Sequence, residues 1–272
     1  MLVADNPYDW ISHGDGVWSK RHRALDLNIG VVECDGGLTV IDTRAHHAQA
    51  RELKEDLKRI SSLPVRWVIN THHHWDHSFG NAEFADAAIW GHARCADTMR
   101  ETGDRTRREL MEMLPDHAAD FREVSITPPA FTLTDRATVT FGGRALELRH
   151  LGRGHTDNDI VVSMADAGVT FVGDLVEEGA PPSFGDAFPL EWPDAVTALL
   201  AVMADRAVPG HGAVVDRVFV SDQRDALAQV AALAAQRQAD GMTPEQAAKA
   251  GGPFPEDVLS KAFARAWQHL AK

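Results

Sequence analysis

The stretch Thr71-His72-His73-His74-Trp75-Asp76-His77 sets three imidazoles and a carboxylate in the pattern His-x-His-x-Asp-His. Imidazole nitrogens and carboxylate oxygens are the donors that divalent cations take. Four such groups in six residues cannot be buried by one hydrophobic element without polar partners. A metal ion is the simplest common partner, and the run holds enough ligands to begin two sites. Histidine is plentiful, 14 of 272 residues, so a solvated His-rich loop is the alternative for this window alone. Three later motifs weigh against it. Gly154-His155-Thr156, Gly173-Asp174-Leu175 and Pro209-Gly210-His211-Gly212 each set a His or Asp beside glycine, at the end of an apolar, strand-like run. The chemistry implied is that of a metal-dependent enzyme.

The elements that must hold these groups can be read from periodicity. Residues 28–32 and 38–42 are β-prone runs around Asp35-Gly36-Gly37, a hairpin signal. Residues 45–60 turn helical, with Leu53, Leu57 and Ile60 spaced four and three apart. Residues 65–70 form a buried strand that delivers the chain into the His cluster, and residues 88–91 form another short strand before a charged helix reaching Leu114. Two more hairpins pair 137–141 with 145–151 across Gly142-Gly143, and 160–164 with 169–173 across Asp166-Ala167-Gly168. A helix over 193–204 and a short strand at Ala207-Val208 precede Pro209. The rest is helical: 221–239 is alanine-rich, Thr243-Pro244-Glu245-Gln246 is a capping box, and 255–270 carries Leu259, Ala262, Phe263 and Ala266 on one face. Each ligand candidate falls at a strand end or just after it, where a rigid sheet positions active-site loops. The pattern predicts two sheets covered by helices on both sides. We read residues 1–220 as a catalytic domain and 221–272 as a helical extension packed on its core.

Composition narrows the function classes. Hydrophobic residues at 44% and charged residues at 25% describe an ordinary globular chain. The net charge of −13 lacks the basic stripe of a nucleic-acid surface. No run of about eighteen apolar residues exists, so no membrane span is expected. The N-terminus shows no signal-peptide pattern, and Cys34 and Cys95 form no disulfide framework, so a cytoplasmic location is expected. Both cysteines read as small buried hydrophobes. The partner implied is a small-molecule substrate, with oligomeric state unspecified.

Taken in order, these motifs resemble the metallo-β-lactamase superfamily. Asp42 follows an early strand; His72, His74, Asp76 and His77 follow; then His155, Asp174 and His211. The resemblance implies an α+β fold, the αββα four-layer sandwich of that superfamily with added C-terminal helices, and a two-metal site at one edge. It assigns His72, His74 and His155 to one ion, Asp76, His77 and His211 to the second, and Asp174 to both. Asp42 would act behind the ligands. Zinc, two ions, is the metal implied, with manganese or iron as other occupants of such ligand sets. The mechanism that follows is metal-assisted hydrolysis, in which hydroxide on the metals attacks a polarised carbonyl and Asp76 orients the nucleophile. Ester, thioester, lactone and amide bonds all suit it.

Departures from individual branches refine this expectation. Gly152 to Thr156 and Gly185-Asp186-Ala187 with Trp192-Pro193 are similar to the β-lactamase subclass that has a cysteine ligand. That subclass has Cys where Asp174 stands, and a carboxylate-binding lysine where Glu177 stands, so β-lactam hydrolysis is disfavoured. The ligand set is closer to that of glyoxalase II-like hydrolases. Lys249, Lys261, Arg265 and Lys272 are scattered along the tail and read as solvated helix faces. Trp75, Phe184 and Phe188 are candidate pocket walls, and Tyr8 is the only tyrosine available to a lactone-type site. His46, His47, His73 and His150 read as hydrogen-bonded or solvent-facing. The competing class is a mononuclear iron oxidoreductase of the persulfide dioxygenase type, against which a full second ligand set counts.

Overall fold

A computed structural model describes residues 9–270 apart from Ala165; Tyr8 and Lys272 lie outside the described residues. Strands β1 (Ile11–Gly14) and β2 (Val17–His22) form an opening hairpin, and β2 pairs antiparallel with β3 (Leu27–Cys34). Strand β4 (Gly37–Ile41) returns alongside β3 through the expected turn. Helix α1 (His47–Leu57) then leads to β5 (Val65–Ile69), which lies parallel to β4. The one-turn helix α2 (Trp75–Ser78) comes next, followed by β6 (Ala88–His92), α3 (Ala93–Met113), α4 (Ala118–Glu123) and β7 (Phe131–Leu133).

The second half begins with β8 (Arg136–Phe141), β9 (Arg144–His150), β10 (Ile160–Met164) and β11 (Val169–Glu177), successive antiparallel neighbours. Helix α5 (Trp192–Val202) crosses over to β12 (Arg206–His211), parallel to β11. A short β13 (Val215–Asp216) precedes α6 (Arg217–Ala239), α7 (Pro244–Lys249) and α8 (Glu256–Leu270).

The strand order is β7-β6-β5-β4-β3-β12-β11-β10-β9-β8, and only the pair His211–Leu27 joins β3 to β12. At that seam the sheet divides into two halves that face each other. Ile41 and Ile69 from one half meet Leu148, Ile160 and Phe171 from the other in one buried cluster. Trp67 stacks on Phe141 across the same layer, with ring centroids 5.1 Å apart. The outer faces carry the helices: Leu53 and Leu57 of α1 pack on Val40 and Val68, while Leu199, Leu227 and Phe263 of α5, α6 and α8 pack on Val172. Period-2 alternation explains the layers, since Phe171 points inward and Val172 outward. The expected αββα sandwich is therefore present, with the C-terminal helices on its outer layer.

Three details differ from the sequence reading. The β1–β2 hairpin was not expected, because β2 is polar; its Lys20 is nonetheless buried and pairs with Asp56 of α1. Strand β11 continues four residues past Gly173, since that glycine bends the strand at φ +53° instead of ending it. Asp174 consequently sits inside a strand. Helix α6 begins at Arg217 because the Asp216 carboxylate accepts from the Val218 and Phe219 amides, both at 3.0 Å. The capping box at Thr243 is formed as the sequence indicates.

Candidate metal centre

Parallel strands β4 and β5 end side by side, which brings Asp42 against the start of the His-rich turn. The Asp42 carboxylate accepts from the Thr71 amide, the Thr71 hydroxyl and His77 Nδ1, each at 2.8 Å. With its hydroxyl hydrogen given to Asp42, Thr71 Oγ1 accepts from His72 Nδ1 at 3.1 Å. With Nδ1 engaged in this way, both imidazoles turn Nε2 to the centre as the nitrogen left to bind a metal. His211 is set the same way from elsewhere, as its Nδ1 donates to the Leu25 carbonyl at 2.8 Å. Leu25 and Asp26 both hold left-handed backbone, at φ +64° and +60°, and aim successive carbonyls at His211 and Gly212. Such strain persists where surrounding structure enforces it.

His74 is turned the other way round. Its Nε2 donates to the Asp186 carboxylate at 3.0 Å, leaving Nδ1 to face inward, 2.8 Å from His155 Nε2. Asp174 enters from β11 between all of these. Its Oδ2 lies 3.3 Å from His155 Nε2 and 3.6 Å from His72 Nε2, and its Oδ1 lies 3.3 Å from His77 Nε2. His211 Nε2 is 3.3 Å from His77 Nε2 and 3.4 Å from Asp76 Oδ2. Three donor groups result among the described residues: His72/His74/His155/Asp174, Asp76/His77/His211 and, around the outer nitrogen of His74, His73/His74/Asp186. All seven candidate ligands are thus brought to one place.

A metal fits this arrangement on three grounds. Four ligands about 2.05 Å from a tetrahedral ion stand about 3.3 Å from each other, the spacing that recurs here. His72 Nε2 and Asp174 Oδ1 are buried with no hydrogen-bond partner, a costly condition unless a further ligand completes them. Around His77 and His211 the local field also stabilises positive charge. Burial opposes protonation of His77 and His211, yet Asp174 and Asp76 hold both well above the usual imidazole range. Burial likewise opposes ionisation of Asp174, and His77 and His211 overcome it and hold its carboxyl well below the usual range.

Glycine clears the space. A Cβ on Gly210 would stand 1.7 Å from Asp174 Oδ1, and one on Gly173 would stand 2.8 Å from Thr71 Cβ. These two positions must lack side chains for Asp174 to reach the centre.

Other expected residues are placed less uniformly. Trp75 lines a cavity of about 310 Å³ beside His73 and His74, with Phe79, Met99 and Asp186. Phe184 is buried against Trp192 instead, and Phe188 lies between Arg153, Arg265 and His269, so neither lines that cavity. His73 is hydrogen-bonded to Asn158, and His150 to the Asp159 carbonyl. His46 caps α1 and His47 accepts from the Ser125 amide. Lys249 and Lys261 are exposed as read, but Arg265 is half-buried and donates to main-chain carbonyls. The sequence reading gave Asp186 no role beyond its place in the Gly185-Asp186-Ala187 motif, and its partner lies 112 residues away. Glu177 is buried, with burial and Asp174 pushing its carboxyl up to about 8, and it accepts from the Ser183 amide at 2.9 Å. It therefore belongs to the packing behind His155 and is not a group held out to substrate.

Fold and site together define a metallo-hydrolase scaffold. The sequence profile of the Metallo-beta-lactamase superfamily matches residues 23–232, and the chain belongs to that superfamily. It is 26% identical to the metallo-beta-lactamase type 2 of Bacillus cereus over 223 residues, 80% of this chain and 78% of the relative. A linear primary-alkylsulfatase of Pseudomonas sp. (strain ATCC 19151) is 24% identical over 255 residues, covering 79% of this chain and 48% of that relative. Among solved structures, the metallo-β-lactamase FIM-1 from Pseudomonas aeruginosa in its mono-zinc form gives a TM-score of 0.65 at 22% identity, over 84% of this chain and 97% of that one. The sec-alkylsulfatase Pisa1 from Pseudomonas sp. gives 0.74 at 18%, over 96% of this chain and 50% of that one.

Proposed function

We propose that this protein is a di-zinc hydrolase that cleaves an ester, thioester, lactone or amide bond in a small molecule. His72, His74 and His155 would hold one ion, Asp76, His77 and His211 the other, with Asp174 shared. The observation that carries the reading is the span of the Asp174 carboxylate, 3.3 Å from His155 Nε2 at one oxygen and 3.3 Å from His77 Nε2 at the other. Bound there, the ions would polarise the scissile carbonyl and lower the pKa of water.

The chain's own groups do the rest. Asp42, Thr71, Asp186 and the Leu25 carbonyl hold four imidazoles in the tautomers that face inward. Asp76 has its carboxyl pulled down to about 2, against the cost of burial, by His77 and His211. It is thus ionised at neutral pH and able to accept a hydrogen bond from the attacking water. The cavity beside His74 and Trp75 would admit one arm of a small substrate. Residues 1–220 form the catalytic unit in this reading, with 221–272 as its helical extension. The buried, unpaired Cys34 and Cys95 suit a reducing compartment, and we assign the protein to the cytoplasm.

β-Lactams rank below the other substrates, because Glu177 supplies no cation for a drug carboxylate. The likeness to Pisa1 runs along nearly the whole chain, tail included, and adds an alkyl sulfate ester to the substrates worth testing. The test is metal content beside turnover of ester, thioester, lactone, cephalosporin and alkyl sulfate probes. Two zinc ions per chain with chelator-sensitive hydrolysis supports the proposal. One iron per chain, no hydrolysis and oxygen uptake with a persulfide replaces it with the dioxygenase reading.

A further inference from the structure

The carboxylate that sets His74 belongs to the loop of residues 178–191, tied at its ends by the Glu178 amide on the His211 carbonyl (3.0 Å) and by the Arg153–Glu191 ion pair (2.6 Å), and fastened around Asp186 at three further points. On one side the Ser183 amide donates to Glu177 Oε1 at 2.9 Å. On the other the Phe188 amide donates to the Gly154 carbonyl at 2.8 Å, next to His155. Between them, Arg265 of α8 donates from Nη2 to the Asp186 carbonyl and from Nε to the Ala187 carbonyl, both at 2.8 Å. The guanidinium takes these two carbonyls, and the Asp186 carboxylate is left to His74 at 3.0 Å and His73 at 3.4 Å. Phe188 tightens the clamp, with the Arg153 and Arg265 guanidinium groups 4.6 and 5.5 Å from its ring centroid and His269 stacked at 4.8 Å.

The clamp is itself rigid. Helix α8 buries Leu259, Ala262, Phe263 and Ala266 in the outer core, and Trp267 Nε1 donates to the Ala234 carbonyl of α6 at 2.7 Å. It also lies wholly beyond residue 232, where the superfamily match ends. A planar guanidinium with two N–H groups on adjacent carbonyls fixes both position and orientation, which one lysine ammonium on a flexible stem does not.

We propose that Arg265 is a positioning residue, through which the C-terminal helix fixes the 178–191 loop and so holds the Asp186 carboxylate against His74. The inference rests on the reading of His74 as a metal ligand. It gives the helical extension a part in the centre that a mere cover for the core would not have.

The test compares wild type, Arg265→Ala, Arg265→Lys, Asp186→Ala, the Arg265→Ala/Asp186→Ala double variant, and Lys261→Ala as a control on an exposed position of the same helix. Two quantities are read: zinc affinity by competition with a chromophoric chelator, and, in metal-free protein, the nuclear magnetic resonance signal of the hydrogen-bonded His74 Nε2 proton. Arg265→Ala should weaken one of two bound zinc ions by about tenfold, as loss of a group orienting a ligand does. It should also erase the proton signal, while Lys261→Ala changes neither and Arg265→Lys recovers only part. Added to Asp186→Ala, it should weaken zinc by less than about twofold more, because the two act along one path. An equal loss in both backgrounds, or an equal weakening of both ions, would make Arg265 a general brace and overturn the proposal. Should wild type take up no zinc, the metal reading fails and the proton signal alone decides: survival in Arg265→Ala refutes the positioning role, and loss supports it.

Discussion

Replacing Asp42 by Asn isolates one charge at the root of the site. The position has φ +66° and the side chain is buried, and Asn accepts both the left-handed backbone and the volume. Of the three hydrogen bonds Asp42 accepts, the one from the Thr71 amide to Oδ1 can persist. The other two, from the Thr71 hydroxyl and His77 Nδ1, converge on Oδ2, where Asn would present an NH2 group. Facing that donor, His77 is pushed into the tautomer with hydrogen on Nε2, the nitrogen aimed at Asp174 and His211. Thr71 must also give up the arrangement that sets His72. Removing a partner that orients a ligand costs about 10–100-fold in metal affinity, or about 1.4–2.7 kcal/mol. The larger share should fall on the group containing His77, since His72 is reached only through Thr71. Zinc competition with a chromophoric chelator reads this directly, beside circular dichroism to show that the fold survives. Two equivalents of zinc bound with affinities within twofold of wild type would refute the tautomer argument.

Gly210→Ala puts a methyl 1.7 Å from Asp174 Oδ1. Asp174 must move, so zinc stoichiometry should fall with a stability loss of about 1–3 kcal/mol, and full zinc binding in a crystallised variant would contradict it. Burial raises the thiol pKa of both cysteines, Cys95 most; native protein should therefore react with a thiol reagent far more slowly than unfolded protein, and a prompt burst of labelling at pH 7.5 would count against the packing described. Burial lowers the His46 imidazole to about 4, below its unfolded value near 6.5. The folded state then binds fewer protons, so the stability His46 permits is complete above about pH 6.5 and is lost as pH falls towards 4. Discounted for solvent, the loss is about 1 kcal/mol. His46→Asn, which keeps a capping acceptor for α1, should flatten the decline in denaturation midpoint between pH 6.5 and 4, and an unchanged slope would reject it.

What the chain reveals on its own is local. His72, His74, Asp76 and His77 lie within one turn after a buried strand, and His155 and His211 each neighbour glycine near a strand end, so type and spacing were enough to collect them. The strands were legible where they alternate or run apolar, as in β4, β5 and β10. They were hidden where pairing rescues polar residues, as in β2, whose buried Lys20 is met by Asp56 of α1 and the Trp10 ring. Of the groups that orient the ligands Asp42 was anticipated through the resemblance, while the others were out of reach for the same reason. Asp186 meets His74 across 112 residues, and Arg265 reaches the Asp186 carbonyl across 79, so nothing in either neighbourhood signals the contact. Arg265 in particular carries the signature of a solvated helix face, because its helix buries the neighbouring apolar stripe. Donor type is a property of a residue and its immediate neighbours. Tautomer, charge state and the direction a ring faces are set by hydrogen bonds that exist only once distant strands and helices have packed, and those the tertiary structure alone decided.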